Sequence, residues 1–129
     1  MAHGRILVVE DSAVMRQLMG RAIDRLPQVD GWEEAEDGAE ALRKLAGGEF
    51  ALVIVDLHLP ILGGLKLIER IRNGPRGDAM KIVVVTTDSA EVDRKRAMDL
   101  GADAYLLKPI QLHDLREAIA RALDADPPL

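Results

Sequence analysis

The chain has 129 residues, of which 48% are apolar, so it has room for one domain with a real hydrophobic core but not for a second. Its 17 basic and 22 acidic residues give a net charge of −5, the wrong sign for a protein that grips phosphate backbones, so no direct nucleic acid partner is expected. The absence of cysteine excludes disulfides, thiolate nucleophiles and cysteine-based zinc sites, and it is typical of an intracellular protein.

The N-terminal segment MAHGRILVVED has four apolar residues in a row before two acids, too few for a signal peptide or a membrane span. We therefore expect a cytoplasmic protein that does not insert into a membrane. The sequence has no internal repeat and no low-complexity tract. Residues 1–124 are predicted to form one domain, and residues 125–129 a C-terminal tail or the start of a linker.

Short apolar segments predict four buried strands. They lack the polar alternation of a half-exposed strand, which is typical of parallel strands covered on both faces. A weaker strand is predicted at 31–36, where little apolar content favours an edge position. In chain order, the four buried segments are ILVV (6–9), ALVIV (51–55), IVVV (82–85) and AYLL (104–107).

Apolar residues at helical spacing lie between the strands and predict amphipathic helices. A further helix within 89–100 has few apolar residues and should hold the sheet less tightly than its neighbours. The alternation predicts an α/β fold, in which right-handed crossovers place helices on both faces of an open parallel sheet. The apolar positions are Val14, Leu18, Ile23 and Leu26; Ala41, Leu42 and Leu45; Leu65, Ile68 and Ile71; and Leu112, Leu115, Ile119 and Leu123.

Polar side chains follow every central strand of the predicted sheet. The carboxyl ends of parallel strands form one rim, which is the binding crevice of such folds. Three carboxylates about 4 Å apart there would repel by roughly 4 kcal/mol per pair at an effective dielectric near 20, so a positive group must lie among them. Oxygen ligands with few carboxylates favour Mg²⁺. The rim residues are Glu10, Asp11, Asp56, Thr86, Thr87, Lys108 and Pro109.

Each rim residue also has a purely structural interpretation. Asp11 or Ser12 could cap the first helix, Thr86 could be an ordinary β-branched strand residue, and Lys108 could be a solvated lysine. A lone aspartate after a strand, such as Asp56, is often a cap or loop residue. The functional interpretation depends on all of these residues meeting at one rim.

These motifs resemble the receiver domains of two-component response regulators, especially the single-domain members that act in chemotaxis. ILVVEDS, EEAEDGAEAL, IVDLHLPILGG, VVVTTDSAE and GADAYLLKP occur in the family's order and at its spacing, over nearly the whole chain. The resemblance implies a flavodoxin-like, doubly wound sheet of five parallel strands in the order 2-1-3-4-5, with five helices. That strand order comes from the resemblance and not from the hydropathy pattern.

The resemblance also implies a role for each rim residue. Asp56 would be the phosphoacceptor, and it would share a Mg²⁺ ion with Asp11 as a direct ligand. Glu10 would act on the metal through water, and His58 would offer its backbone carbonyl.

A second set of residues would bind the phosphoryl group or respond to it. Lys108 and Thr86 would bind it, and Thr86 would also be the switch hydroxyl, paired with Tyr105 as the switch aromatic. Thr87 stands where the family usually has a very small residue. Access of water, phosphodonor or phosphatase would be set by His58, Thr87 and Asp88.

A protein of this kind would accept its phosphoryl group from a sensor histidine kinase or a phosphotransfer protein and lose it by slow autodephosphorylation. It would not be an enzyme for an external substrate. We expect a monomer or weak dimer whose downstream target protein reads the face made by helix 89–100, strand 103–107 and helix 111–123. The Lys108–Pro109 bond is expected to be cis, which directs the lysine into the crevice.

Other interpretations share parts of this pattern. The chain could be a receiver fragment of a longer regulator, or a receiver that binds partners without phosphorylation, although the complete acid, threonine and lysine set argues against the latter. An aspartate-nucleophile phosphatase of the haloacid dehalogenase type needs a second aspartate where this chain has His58. A flavodoxin-like nucleotide-binding protein needs a glycine-rich loop after the first strand, and EDSAVMR has none.

Overall fold

The computed structural model of the protein describes residues 4–124, so the predicted tail at 125–129 lies outside the described residues. No helix within the described part is long and apolar enough to cross a membrane. Strands and helices alternate along it: β1 (Arg5–Val9), α1 (Ala13–Asp24), β2 (Trp32–Ala35), α2 (Gly38–Gly47), β3 (Phe50–Val55), α3 (Gly64–Arg72), β4 (Lys81–Thr86), α4 (Glu91–Asp99), β5 (Ala104–Leu107) and α5 (Leu112–Asp124).

The five strands form one parallel sheet in the order β2-β1-β3-β4-β5. The predicted doubly wound α/β fold, its strand order and its five helices are therefore confirmed. Successive residues of the central strands point into two apolar layers, one on each face. Leu7 and Val9 face the layer that α2 and α3 cover, whereas Ile6 and Val8 face the layer that α1 and α5 cover.

Two expectations about burial are wrong. Strand β5 is an edge strand rather than a strand buried on both faces, and its Leu107 is 49% exposed. Val14, expected on the apolar face of α1, is 80% exposed because that face is formed instead by Met19, Ala22 and Ile23.

Helix α4 is the least buried helix of the sheet's two layers, as its composition predicted. Ala97 is its only buried residue, and its hydrophobic Val92 is exposed. At the other end of β5, the Lys108–Pro109 peptide bond is cis, as expected. Helix α4 is thus held to the sheet by little apolar contact.

Helix α1 meets the edge strand at Gly20. A Cβ atom added to Gly20 would lie 2.0 Å from a ring carbon of Trp32, closer than any real contact. We expect Gly20→Ala to lower the free energy of unfolding by about 1–3 kcal/mol, because the ring must move. Gly47→Ala, at a helical position with nothing within 4 Å, is the control and should leave stability unchanged or slightly raised.

Urea unfolding followed by the emission of Trp32, the single tryptophan, measures both variants. Equal stability of the two variants would contradict the tight packing of α1 on β2.

Candidate functional site

Three carboxylates meet where β1 and β3 end side by side. Glu10 and Asp11 follow β1, and Asp56 follows β3, which is paired with β1 up to the preceding residue. One carboxylate oxygen from each of the three lies within 4.8 Å of the others. Glu10 and Asp56 are buried, whereas Asp11 is exposed. The sheet thus concentrates negative charge at its carboxyl rim.

Lys108 lies between two of these carboxylates. Its Nζ atom is 2.6 Å from Glu10 Oε1 and 2.8 Å from Asp56 Oδ2. The backbone N–H of Lys108 donates to the Thr86 carbonyl at 2.9 Å, so the lysine is anchored to the end of β4. The carboxylate contacts raise the pKa of Lys108, although burial alone would lower it. The lysine is therefore a fixed cation and not a solvated one.

The Asp56 carboxylate is oriented by a donor on each oxygen. Lys108 holds Oδ2, and the His58 backbone N–H donates to Oδ1 at 3.0 Å. Burial would raise the pKa of Asp56, but the hydrogen bonds from Lys108 and the His58 N–H, with a smaller contribution from the nearby Thr86 hydroxyl, outweigh it and lower that pKa. Asp56 is thus an ionised carboxylate with a defined orientation.

Glu10 is fixed as firmly but in a different electrostatic environment. The Ser12 N–H donates to its Oε2 at 2.9 Å, while Lys108 holds Oε1. Burial raises the pKa of Glu10, and these two donors only partly offset that effect. Ser12 itself caps α1 through its side chain, which leaves Asp11 out of the capping role.

The turn after Asp56 depends on a glycine. A Cβ atom on Gly64, at the start of α3, would lie 2.3 Å from the Asp56 backbone oxygen. The Gly64 N–H donates to the Leu57 carbonyl at 3.1 Å. Only glycine lets α3 begin this close to the carboxylate's own backbone.

Thr86 and Tyr105 are linked through the loop between β4 and α4. The Thr86 side chain is fully buried, and its Oγ1 accepts from the Asp88 N–H at 3.3 Å. The Tyr105 hydroxyl donates to the carbonyl of the same Asp88 at 2.7 Å. Burial and the charges of Asp88 and Asp93 raise the pKa of Tyr105, so its hydroxyl remains a donor. A single loop residue therefore joins the two predicted switch residues.

The remaining predicted residues surround the opening of the crevice. The His58 side chain is 60% exposed, with Nε2 3.8 Å from Asp88 Oδ2. Thr87, which precedes Asp88 in the chain, is exposed. The structure therefore brings His58, Thr87 and Asp88 to the mouth of the site and not into the carboxylate cluster.

The donor set of the cluster fits Mg²⁺. Three carboxylates face one ammonium, which leaves a negative surplus, and every potential ligand is oxygen. Glu10, Asp11 and Asp56 are the side chains that could hold the ion, whereas a contribution from the His58 carbonyl remains a prediction. A second group of potential ligands, His113, Asp114 and Glu117, is exposed, and its Glu117 already pairs with Arg121.

One residue next to the cluster was missed by the sequence reasoning. Arg16, on α1, is only 6% exposed and donates through Nη1 to the backbone oxygen of Glu10 at 2.7 Å. Its position four residues before Gly20 places both on the face of α1 that meets β2. A charged residue on the packed face of a helix is the signal that could have found it.

The chain matches the family model of the response regulator receiver domain over residues 6–120. It is 32% identical to chemotaxis protein CheY1 of Helicobacter pylori, covering 89% of this chain and 93% of that protein. It is 38% identical to the regulator of RpoS of Escherichia coli K12, covering 92% of this chain but only 34% of that longer protein.

Solved structures give the same family. A CheY-like receiver domain protein from Methanospirillum hungatei superposes with a TM-score of 0.85 at 29% identity, covering 95% of each chain. The family match, these relatives and the acidic rim agree, and the chain belongs to the response regulator receiver domains of two-component signalling.

Proposed function

We propose that this chain carries a signal by accepting a phosphoryl group on Asp56 from a phosphohistidine of a sensor kinase or phosphotransfer protein. The observation that carries the proposal is the Asp56 carboxylate, buried at the rim and held by Lys108 at 2.8 Å within an acidic cluster. Lowering of its pKa keeps it ionised, which a carboxylate nucleophile requires.

The transfer needs positioning more than covalent assistance. An oxygen of Asp56 attacks phosphorus, the phosphorus–nitrogen bond of the donor histidine breaks, and the freed imidazole nitrogen takes up a proton from solvent. The product is an acyl phosphate on Asp56. Because the sheet and two hydrogen bonds fix the carboxylate, little orientational freedom is lost when the donor docks.

Neutralising the transferred group is the second requirement. Lys108 would exchange its contact with Asp56 for one to the phosphoryl oxygens while keeping Glu10, which anchors it. The Thr86 hydroxyl lies on the same side of the sheet end and would donate to another phosphoryl oxygen. Bound Mg²⁺ would supply further positive charge to those oxygens. Asp11 and Glu10 would hold that ion, with Asp56.

Hydrolysis of the acyl phosphate would end the signal. An attacking water must pass the mouth formed by His58, Thr87 and Asp88. The His58 side chain is free enough to turn over the phosphoryl group, so it and Thr87 are proposed to set the lifetime. Self-directed transfer and hydrolysis are the only chemistry proposed.

Phosphorylation of Asp56 is directly testable. Acetyl phosphate with Mg²⁺ should add one phosphoryl group to the wild-type chain, and omission of Mg²⁺ should abolish the addition. Asp56→Asn should lose it, whereas Asp114→Asn, which alters an exposed carboxylate on α5 outside the cluster, should keep it. Intact-mass spectrometry measures all four cases. Full labelling of Asp56→Asn would remove this residue as the acceptor.

The two acids after β1 should contribute unequally to metal affinity. A direct ligand loses more than a residue acting through water, so calorimetric Mg²⁺ binding should vanish in Asp11→Ala and weaken about 10- to 100-fold in Glu10→Ala. Asp114→Ala, which alters the exposed group on α5, is the matched control and should bind normally. Equal losses at Asp11 and Glu10 would contradict the assignment.

The hydrogen bonds around Asp88 support a route from the site to a distant face. If the Thr86 side chain rotates to reach a phosphoryl oxygen, its Oγ1 moves away from the Asp88 N–H, and the loop that also holds Tyr105 is released. Helix α4, which follows this loop, has one buried residue, so a few kcal/mol of differential stabilisation suffices to move it. We propose that a downstream target reads the face of α4, β5 and α5 in this altered state.

This route predicts a distal response that depends on Thr86. Beryllofluoride, which stands in for the phosphoryl group on Asp56, should shift amide resonances throughout 87–107 in NMR spectra. Thr86→Ala should abolish the shifts beyond residue 90 while leaving those around Asp56. Shifts confined to the rim in the wild-type protein, or distal shifts intact in Thr86→Ala, would contradict the switch.

A further inference from the structure

Arg16 is a buried cation that the proposed phosphoryl chemistry does not use. Its guanidinium donates to three acceptors, and the tightest contacts are Nε to Glu34 Oε1 at 2.6 Å and Nη1 to the Glu10 backbone oxygen at 2.7 Å. A weaker contact joins Nη2 to Glu36 Oε1 at 3.5 Å. Only 6% of the residue is exposed. Burial of a charge needs such partners, so the contacts fix the guanidinium in place.

The packing of α1 on β2 explains this position. Trp32 and Glu34 are two residues apart on a strand and point to the same face, while Arg16 and Gly20 are four apart on a helix and share a face. The Trp32 ring packs against Gly20, and the Arg16 guanidinium donates to the Glu34 carboxylate. The guanidinium is thereby directed at the end of β1.

The Glu10 carbonyl belongs to the peptide unit that leads into Asp11. The Glu10 N–H is already tied to the Ala35 carbonyl at 3.0 Å, and the Ser12 N–H is tied to the Glu10 carboxylate at 2.9 Å. Arg16 supplies the remaining contact, to the carbonyl itself. Loss of this contact would leave the Glu10–Asp11 peptide, from which the exposed Asp11 projects, less firmly held between its two anchored neighbours.

We propose that Arg16 is a positioning residue for Mg²⁺ binding: its guanidinium fixes the Glu10 carbonyl and thereby orients Asp11 toward Asp56. This inference rests on the proposed metal-assisted function of the cluster. The two possible roles of Arg16, charge and positioning, predict opposite changes in Mg²⁺ affinity when the residue is removed. Arg16 is positive, so its removal beside a cation site would strengthen Mg²⁺ binding if only charge mattered. Positioning predicts weaker binding.

The test compares Mg²⁺ affinity by calorimetry in the wild type, Arg16→Gln, Arg16→Lys and a matched control. The control is Arg72→Gln, because Arg72 also donates to backbone carbonyls, those of Gly77, Met80 and Gly101, but at the opposite end of the sheet. Urea midpoints of the metal-free proteins report the loss of stability in each variant.

We expect Arg16→Gln to bind Mg²⁺ roughly tenfold more weakly, because removing a group that orients a metal ligand typically weakens binding by at least that factor. Arg16→Lys keeps the positive charge but loses the several N–H donors of the planar guanidinium. Its Mg²⁺ affinity should therefore lie between those of the wild type and Arg16→Gln. Arg72→Gln should lower the urea midpoint but bind Mg²⁺ like the wild type.

If Arg16→Gln binds Mg²⁺ as tightly as the wild type or more tightly, the positioning role of Arg16 is overturned. The proposed function is not affected by that result, because the wild-type protein would still bind Mg²⁺. An equal loss of affinity in Arg72→Gln would also overturn the positioning role, because general destabilisation would then explain the effect. A wild-type protein that binds no Mg²⁺ would overturn the proposed metal-assisted function and this inference together.

Discussion

Like-charge repulsion at the carboxyl end of the sheet governs which groups can surround the site. Parallel pairing of β1 with β3 brings Glu10, Asp11 and Asp56 together, and their oxygens lie within 4.8 Å of one another. Roughly 4 kcal/mol per pair at such distances and an effective dielectric near 20 would oppose folding if nothing offset it. Lys108 offsets part of this repulsion by contacting the two buried carboxylates. The remaining negative charge favours a bound cation.

The fold combines a rigid part, which positions the acidic side chains, with helix α4, which is held loosely. The apolar residues of β1 and β3 are almost fully buried and place the acids with little freedom. Helix α4 contributes only Ala97 to the core, and the loop before it joins Thr86 to Tyr105 through Asp88. Under the proposed function, a change of charge at the rigid site would be transmitted to a surface that costs little to move.

Errors in the sequence analysis have a common cause. Helical spacing placed Val14 with the apolar residues of α1, but the packed face of that helix is formed by Met15, Met19, Ala22 and Ile23, and Val14 lies off that face and is exposed. The aliphatic composition of β5 predicted burial on both faces, yet the strand lies at an edge and its last residue, Leu107, is half-exposed. In both cases composition records that a residue is apolar and not what packs against it.

The order of elements, the parallel sheet and the rim residues could be predicted from the sequence, because hydrophobic periodicity and strand-end position are local properties. The sequence could not determine which donor meets which oxygen. That Lys108 bridges Glu10 and Asp56, and that Arg16 reaches past its own helix to the Glu10 carbonyl, depends on how α1, β2 and β5 pack. Hydrogen bonds between groups distant in the chain form only once tertiary packing has set their separation, and no local pattern of residues encodes that separation.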